Sequence, residues 1–267
     1  MQMDPNSLMR AILKVKRREQ LTPHYIRIIL TGDDIQIYER AETGDNNKII
    51  IPKDKAIGIE LPDMATRSLF DYPNQVVRTY TLRSFDAAKG EMAIDFVVHE
   101  NPGPASAWAM NASPGDELGV LMKAGRKKLM RSADEYYFFG DHSALPVISV
   151  LLEKLDPSAK GHAYIEVHGI ADVLAIHKPA GIDITWLFNE HPGDTSALPA
   201  AYDTIANKVN ARSCIYAFAE HKVVNAIQDK LRKHARIKRD NWQAYGYWKH
   251  GESEDRSMME RAATMKV

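Results

Sequence analysis

The sequence predicts an antiparallel β-barrel followed by a parallel α/β domain. Three observations carry that expectation. At 267 residues the chain exceeds what one small core commonly uses, so two domains are expected. Its first 122 residues hold closely spaced β-rich runs ended by Gly, Pro and Asp. From residue 136 onward, apolar strand-like runs alternate with segments of helical spacing.

In the first half, strands are expected at 11–15 and 25–30, the second ended by Thr31-Gly32-Asp33-Asp34. A run at 48–51 stops at Pro52, and another at 56–61 stops at Pro62-Asp63. Strands at 76–83 and 92–99 flank Asp86-Ala87-Ala88-Lys89-Gly90, which reads as a hairpin turn. Pro114-Gly115-Asp116 introduces a last short strand, 117–122. The exception to the β rhythm is a short helix at 105–110, entered through Pro102-Gly103-Pro104.

The second half opens on an apolar strand, 136–139. A helix at 144–155 follows, with Leu145, Ile148, Leu151, Leu152 and Leu155 at helical spacing. Further strands are expected at 164–167, 184–187 and 215–218, and helices at 197–209 and 223–234. The tail, 242–267, is aromatic first and polar later, and suggests a solvated helix or disorder at its end. The basic segment 123–131 marks the junction, so the domain boundaries are placed at 1–128 and 129–267.

Composition bounds the function. Hydrophobic residues make up 45% and charged residues 26%, ordinary for a globular protein. Lys plus Arg and Asp plus Glu are both 35, so no global field favours nucleic acid, and anion binding would need a local cluster. A single cysteine, Cys214, excludes an internal disulfide and a thiolate-held iron–sulfur cluster; it reads as a buried strand residue. The polar N-terminus lacks the apolar core of a signal peptide, and no run approaches the ~20 apolar residues of a membrane helix. A soluble, cytoplasmic protein is the expectation.

Three motifs carry chemistry. In Arg78-Thr79-Tyr80-Thr81-Leu82-Arg83, strand alternation puts Arg78, Tyr80 and Leu82 on one face and Thr79, Thr81 and Arg83 on the other. A flavin needs an aromatic face, a hydroxyl near its redox nitrogen and a cation at its diphosphate; Tyr80, Thr81 and Arg78 offer these. His99-Glu100-Asn101-Pro102-Gly103-Pro104-Ala105-Ser106-Ala107-Trp108-Ala109 runs from a strand end into a helix start, where free N–H groups suit phosphate. Gly140-Asp141-His142-Ser143-Ala144-Leu145-Pro146 follows the first strand of the α/β half, where dinucleotides meet such sheets. It lacks the three-glycine fingerprint.

This layout is that of the ferredoxin-reductase type of flavoenzyme, and the motifs together resemble the siderophore-interacting protein family over about residues 10–255. Also matching are Lys48 before an apolar run, Ala219-Glu220 after a strand, and Tyr247-Trp248-Lys249-His250-Gly251 near the end. The resemblance implies noncovalent FAD, reduced by NADPH, NADH or reduced ferredoxin, and a ferric siderophore as substrate. It assigns the isoalloxazine to Tyr80 and Thr81, with no catalytic side chain beyond them. Further cofactor contacts fall to Arg78, Thr79, Val97, Val98, His99, Gly103, Ala105, Ser106 and Trp108, then Asp141, Ser143, Ala144, Tyr245, Tyr247 and Trp248. Lys48, Arg126 and Lys249 are expected to receive the chelate. His142 departs from the family, which carries an acidic residue there. Ferredoxin is a possible protein partner; a resident metal, nucleic acid and membrane insertion are not expected. A general NAD(P)H:flavin or ferredoxin-type reductase and a non-enzymatic siderophore-binding protein remain alternatives.

Overall fold

In the computed structural model, the described residues are 8–62, 72–99, 102–123 and 130–252. The chain divides into two compact units, Met1–Lys128 and Leu129–Val267.

Unit 1 is built on seven strands: β1 (Met9–Thr22), β2 (Tyr25–Thr31), β3 (Asn46–Pro52), β4 (Gln75–Thr81), β5 (Ser84–Asp86), β6 (Glu91–Val97) and β7 (Glu117–Met122). All pairings are antiparallel, in the order β4-β3-β7-β1-β2-β6-β5. The outermost strands, β4 and β5, are joined by Leu82 and Arg83 alone. The three steps from Thr81 to Ser84 span at most ~11 Å, so the sheet must curl to bring its edges together. Along β1, Met9, Ala11, Leu13 and Val15 are buried while Arg10, Lys14 and Lys16 are exposed, the period of two that a half-buried strand requires. Ile28, Ile49, Leu82, Phe96 and Val120 join them in the core, against which α1 (Pro104–Asn111) lays Ala105, Trp108 and Ala109.

The run 56–61, expected as a strand, is not one. Ile57 closes a turn on Asp54, and Gly58 takes φ +75°. Ile59 packs across the sheet near Gly119 instead of joining its edge. The Gln75 side chain stands in for a strand neighbour: it accepts from the Glu60 N–H at 3.1 Å and donates to the Glu60 carbonyl at 2.9 Å. Both backbone groups are satisfied without a ladder.

Unit 2 is a five-stranded sheet of β8 (Glu135–Gly140), β9 (Lys160–Val167), β10 (Gly181–Phe188), β11 (Ser213–Glu220) and β12 (Trp242–Trp248). Every pairing is parallel, in the order β10-β9-β8-β11-β12. Helices α2 (Leu145–Lys154), α3 (Leu198–Ile205) and α4 (His221–Lys233) connect them. Leu198, Tyr202 and Ile205 of α3 and Val224, Ile227 and Leu231 of α4 pack on Tyr137, Phe139, Ile215 and Ala217. All eight residues of β11 are buried, as expected of a central parallel strand. Cys214 is one of them, and burial raises its thiol pKa. The aromatic start of the tail is strand β12, where the sequence alone predicts no strand.

Candidate functional site

Unit 1 gathers the first two motifs. Asn47, Ile49 and Ile51 of β3 stand opposite Tyr80, Arg78 and Val76 of β4 in register. Ile49 and Ile51 belong to the core, so this is the inward face of the strand pair. Tyr80 packs on Phe96 with ring centroids 4.5 Å apart, and Phe96 lies 5.8 Å from Trp108. Through Phe96 the fold therefore joins the Arg78–Thr81 strand to α1.

The helix start carries no side-chain cap: its N-cap is Gly103, Pro104 occupies the first turn, and no acidic residue follows there. A Cβ built on Gly103 would meet nothing within 4 Å, which leaves room for a ligand against the backbone. Ser106 is buried with its hydroxyl donated to the Val97 carbonyl at 2.8 Å, while Val97 and Val98 are half-buried and His99 is exposed. Arg78 is buried and donates to the Val77 carbonyl at 2.8 Å. Among the described residues, the Asn47 carboxamide and Trp108 Nε1 are buried with no hydrogen-bond partner. Asn47 was not singled out from sequence; an asparagine in an apolar strand gives no signal until the register sets it beside Tyr80.

Lys48 and Thr79 face the other way. They are cross-strand partners, and Lys48 Nζ donates to Thr79 Oγ1 at 2.5 Å. Thr79 is exposed and Thr81, on the same side, is buried. Arg126 lies outside the described residues.

In unit 2 the strand order reverses between β8 and β11, and ligands of open α/β sheets bind at the carboxyl ends beside such a point. Gly140-Asp141 and Glu220 end those two strands. Gly140 is required there: a Cβ would come within 2.2 Å of Ile148 Cδ1. Asp141 is buried, and its carboxylate accepts from Ser143 N at 2.9 Å, Ser143 Oγ at 2.5 Å, Glu220 N at 2.8 Å and Trp248 Nε1 at 2.7 Å. Burial raises its pKa above the ordinary carboxylate range against the pull of those donors. Buried Glu220 caps α4, accepting from the N–H groups of Lys222 and Val223, and also from His250 N at 3.1 Å. His142 and Ala144 are buried beside them, so His142 does not face solvent. On the strand's other flank Phe218 stacks on Tyr245 at 6.1 Å and Tyr247 at 5.5 Å. Tyr245 is exposed, and burial pushes the Tyr247 phenol well up. Exposed Lys249 pairs with Glu252.

Known proteins match both units. A model described as the siderophore-interacting FAD-binding domain matches residues 14–126, and one described as siderophore-interacting protein matches 133–251. The ferric vibriobactin reductase ViuB of Vibrio cholerae is 31% identical over 256 residues, 95% of this chain and 94% of its own. A siderophore utilization protein from T. fusca superposes with TM-score 0.82 at 31% identity, over 94% of this chain and 96% of that one. The siderophore-interacting protein SipS of Aeromonas hydrophila does so with TM-score 0.75 at 29% identity, over 92% and 100%. A ferredoxin NADP+ reductase from Neisseria gonorrhoeae, 12% identical with TM-score 0.60 over 88% and 98%, shares the fold. The architecture is ferredoxin-reductase-like, and the chain belongs to the siderophore-interacting protein family.

Proposed function

We propose that this chain is an FAD-dependent oxidoreductase that reduces Fe(III) held in a siderophore, releasing iron as Fe(II). The observation that carries the proposal is the 31% identity with a ferric vibriobactin reductase over 95% of the chain. Siderophores bind Fe(III) through hard oxygen donors, and softer Fe(II) is held far less tightly, so one electron is enough to release it. The protein then needs no iron ligand of its own.

Unit 1 suits a flavin dinucleotide on its own geometry. An uncapped helix start with an open glycine offers backbone N–H groups to a diphosphate, and buried Arg78 offers a guanidinium. Tyr80 packs at a tilt on Phe96 and is only partly buried, which leaves an aromatic surface for the isoalloxazine. The unpartnered Asn47 and Trp108 groups are further polar atoms that a bound molecule could satisfy. When bound, FAD supplies the redox chemistry, taking electrons from a donor and giving them singly to iron. Tyr245, Tyr247 and Trp248 are proposed as further flavin contacts, and Lys48, Arg126 and Lys249 as contacts to an anionic chelate. The reducing partner is a nicotinamide nucleotide or reduced ferredoxin, and the expected setting is the cytoplasm. Among the described residues no helix is long and apolar enough to cross a membrane.

The test is to load the protein with FAD and mix it with an iron(III) catecholate. An Fe(II)-specific chromophore reports product as NADPH, NADH or reduced ferredoxin is supplied. Turnover with at least one donor is expected; a flavin-loaded protein that forms no Fe(II) with any of them overturns the proposal.

A further inference from the structure

The Asp141 carboxylate is fully committed to the protein's own donors. An ionised carboxylate offers about four lone-pair sites. Two are taken on Oδ1 by Ser143 N and Oγ, and two on Oδ2 by Glu220 N and Trp248 Nε1. No acceptor capacity is left for a ribose or any other ligand group. Three of these donors come from neighbouring chain ends at the switch point. The fourth arrives from 107 residues away.

The register of β12 explains how the indole reaches it. Ala219 stands opposite Gly246, but Glu220 stands opposite Trp248, so β12 carries one extra residue, Tyr247. Such a bulge re-aims the side chains beyond it. Trp248 is thereby brought level with Glu220, and its indole crosses β11 to the end of β8. Two more contacts continue the same path. His250 N donates to Glu220 Oε1 at 3.1 Å, and the His250 ring lies against Gly193, where a Cβ would sit 2.1 Å from Nδ1. The tail thus runs back over the carboxyl edge of the sheet, held at the ends of β8 and β11 and at the loop after β10.

We propose that Asp141 is a positioning residue: by holding the Trp248 indole it sets the place of the tail segment that presents Tyr247 and Lys249. This rests on the proposed function, because it gives that tail a part in handling the ferric chelate. A single carboxylate oxygen serves Trp248 and Glu220 together. In Asp141→Asn the amide keeps one acceptor oxygen, so only one of the two donor pairs can be retained.

The test uses the FAD-loaded full chain and iron(III) 2,3-dihydroxybenzoate. The Trp248 indole N–H resonance, assigned by its loss in Trp248→Phe, is followed in Asp141→Asn. It should shift and exchange faster with solvent. The KM for the chelate should rise about tenfold, and Trp248→Phe should raise it to the same degree. The double variant should be no worse than Trp248→Phe alone. Trp248→Phe leaves three donors on Asp141, so it keeps the test open if Asp141→Asn does not fold. In that event a Trp248→Phe protein with unaltered KM overturns the proposal. An indole resonance that does not move overturns it as well, as does one that moves without a change in KM, or a double variant whose KM rise is the product of the two single rises. Failure of the wild type to reduce the chelate would instead remove the functional reading, while the indole resonance still decides whether Asp141 holds Trp248.

Discussion

Arg78 and Asp95 are both buried charged groups of unit 1, and they show different uses of burial. Asp95 is met by Arg27 in a two-pronged pair at 2.7 and 2.8 Å, with Arg83 at 3.8 Å, and its side chain is 1% exposed. Removing one partner from such a pair strands the other charge. Arg27→Ala is expected to destabilise the protein by about 3 kcal/mol, discounted little because Asp95 is so deeply buried. Urea unfolding checks this, and a loss under 1 kcal/mol would mean that Arg83 alone compensates Asp95. Arg78 instead donates to a backbone carbonyl and shares the inward face with Tyr80. Arg78→Ala should weaken FAD binding about ten- to a hundredfold, the loss of one charge-assisted contact. A flavin titration with unchanged affinity would assign Arg78 to folding alone. Asp141 carries a pH prediction. Its pKa is raised in the folded state, so the native chain takes up a proton at higher pH than the unfolded chain does. This group's contribution to stability therefore falls as pH rises through the folded pKa. As pH rises above the unfolded carboxylate range, near pH 4, unfolding free energy of the wild type should decline relative to Asp141→Asn, as measured by urea titration at each pH.

Among the elements, the turn from β8 into α2 is closely packed against the parallel sheet. A methyl on Gly140 would meet Ile148 Cδ1 at 2.2 Å, Ala144 Cβ at 2.9 Å and the Phe218 carbonyl at 3.3 Å. Helix α2 has no exposed side to retreat to, since Leu145 through Leu152 are all buried. Gly140→Ala should thus cost about 1–3 kcal/mol through overpacking. Thermal unfolding would detect that loss, whereas an unchanged midpoint would show that α2 can shift. The same closeness seats Asp141 against the first turn of a short 3-10 segment leading into α2, and Glu220 caps α4 directly. Helix N-termini offer N–H groups and the positive end of the backbone dipole, which is why two carboxylates are tolerated at one buried sheet edge.

For the whole molecule, the equality of 35 basic and 35 acidic residues means that attraction for an anionic chelate must be local. Lys48 and Lys249 are proposed for that role, one in each unit. An anionic iron(III) catecholate should then reoxidise the reduced protein faster than a neutral ferric complex of equal reducibility. Salt should shrink the difference, because exposed charges are screened beyond ~8–10 Å at 0.1–0.15 M. Replacing both lysines with alanine should remove the preference and leave flavin content intact. Equal rates for all chelates at low and high salt would exclude these lysines from substrate binding. Both already hold protein partners, Thr79 and Glu252, so a chelate must displace weak, exposed contacts rather than meet idle charges.

The sequence by itself determined the change from β rhythm to βα rhythm, because periods of 2 and 3.6 are local consequences of which faces are buried. It also placed the Arg78–Thr81 strand, the Gly103–Ser106 helix start and the Gly140–Ala144 turn, since glycine, proline and alternation act on the nearest neighbours. Two segments escaped it for one reason. Residues 56–61 have strand composition but no strand to pair with, and residues 242–248 became β12 because β11 lay ready beside them. A strand's existence depends on a partner distant in sequence, which local composition does not report. The tertiary structure alone decided that Lys48 stands opposite Thr79, turned away from Arg78 and Tyr80, and that Asn47 stands beside Tyr80. It alone decided that Asp141 spends its carboxylate on Trp248 rather than on an open site. Those outcomes follow from strand register and from one bulge in β12, and both are fixed only when distant segments pair.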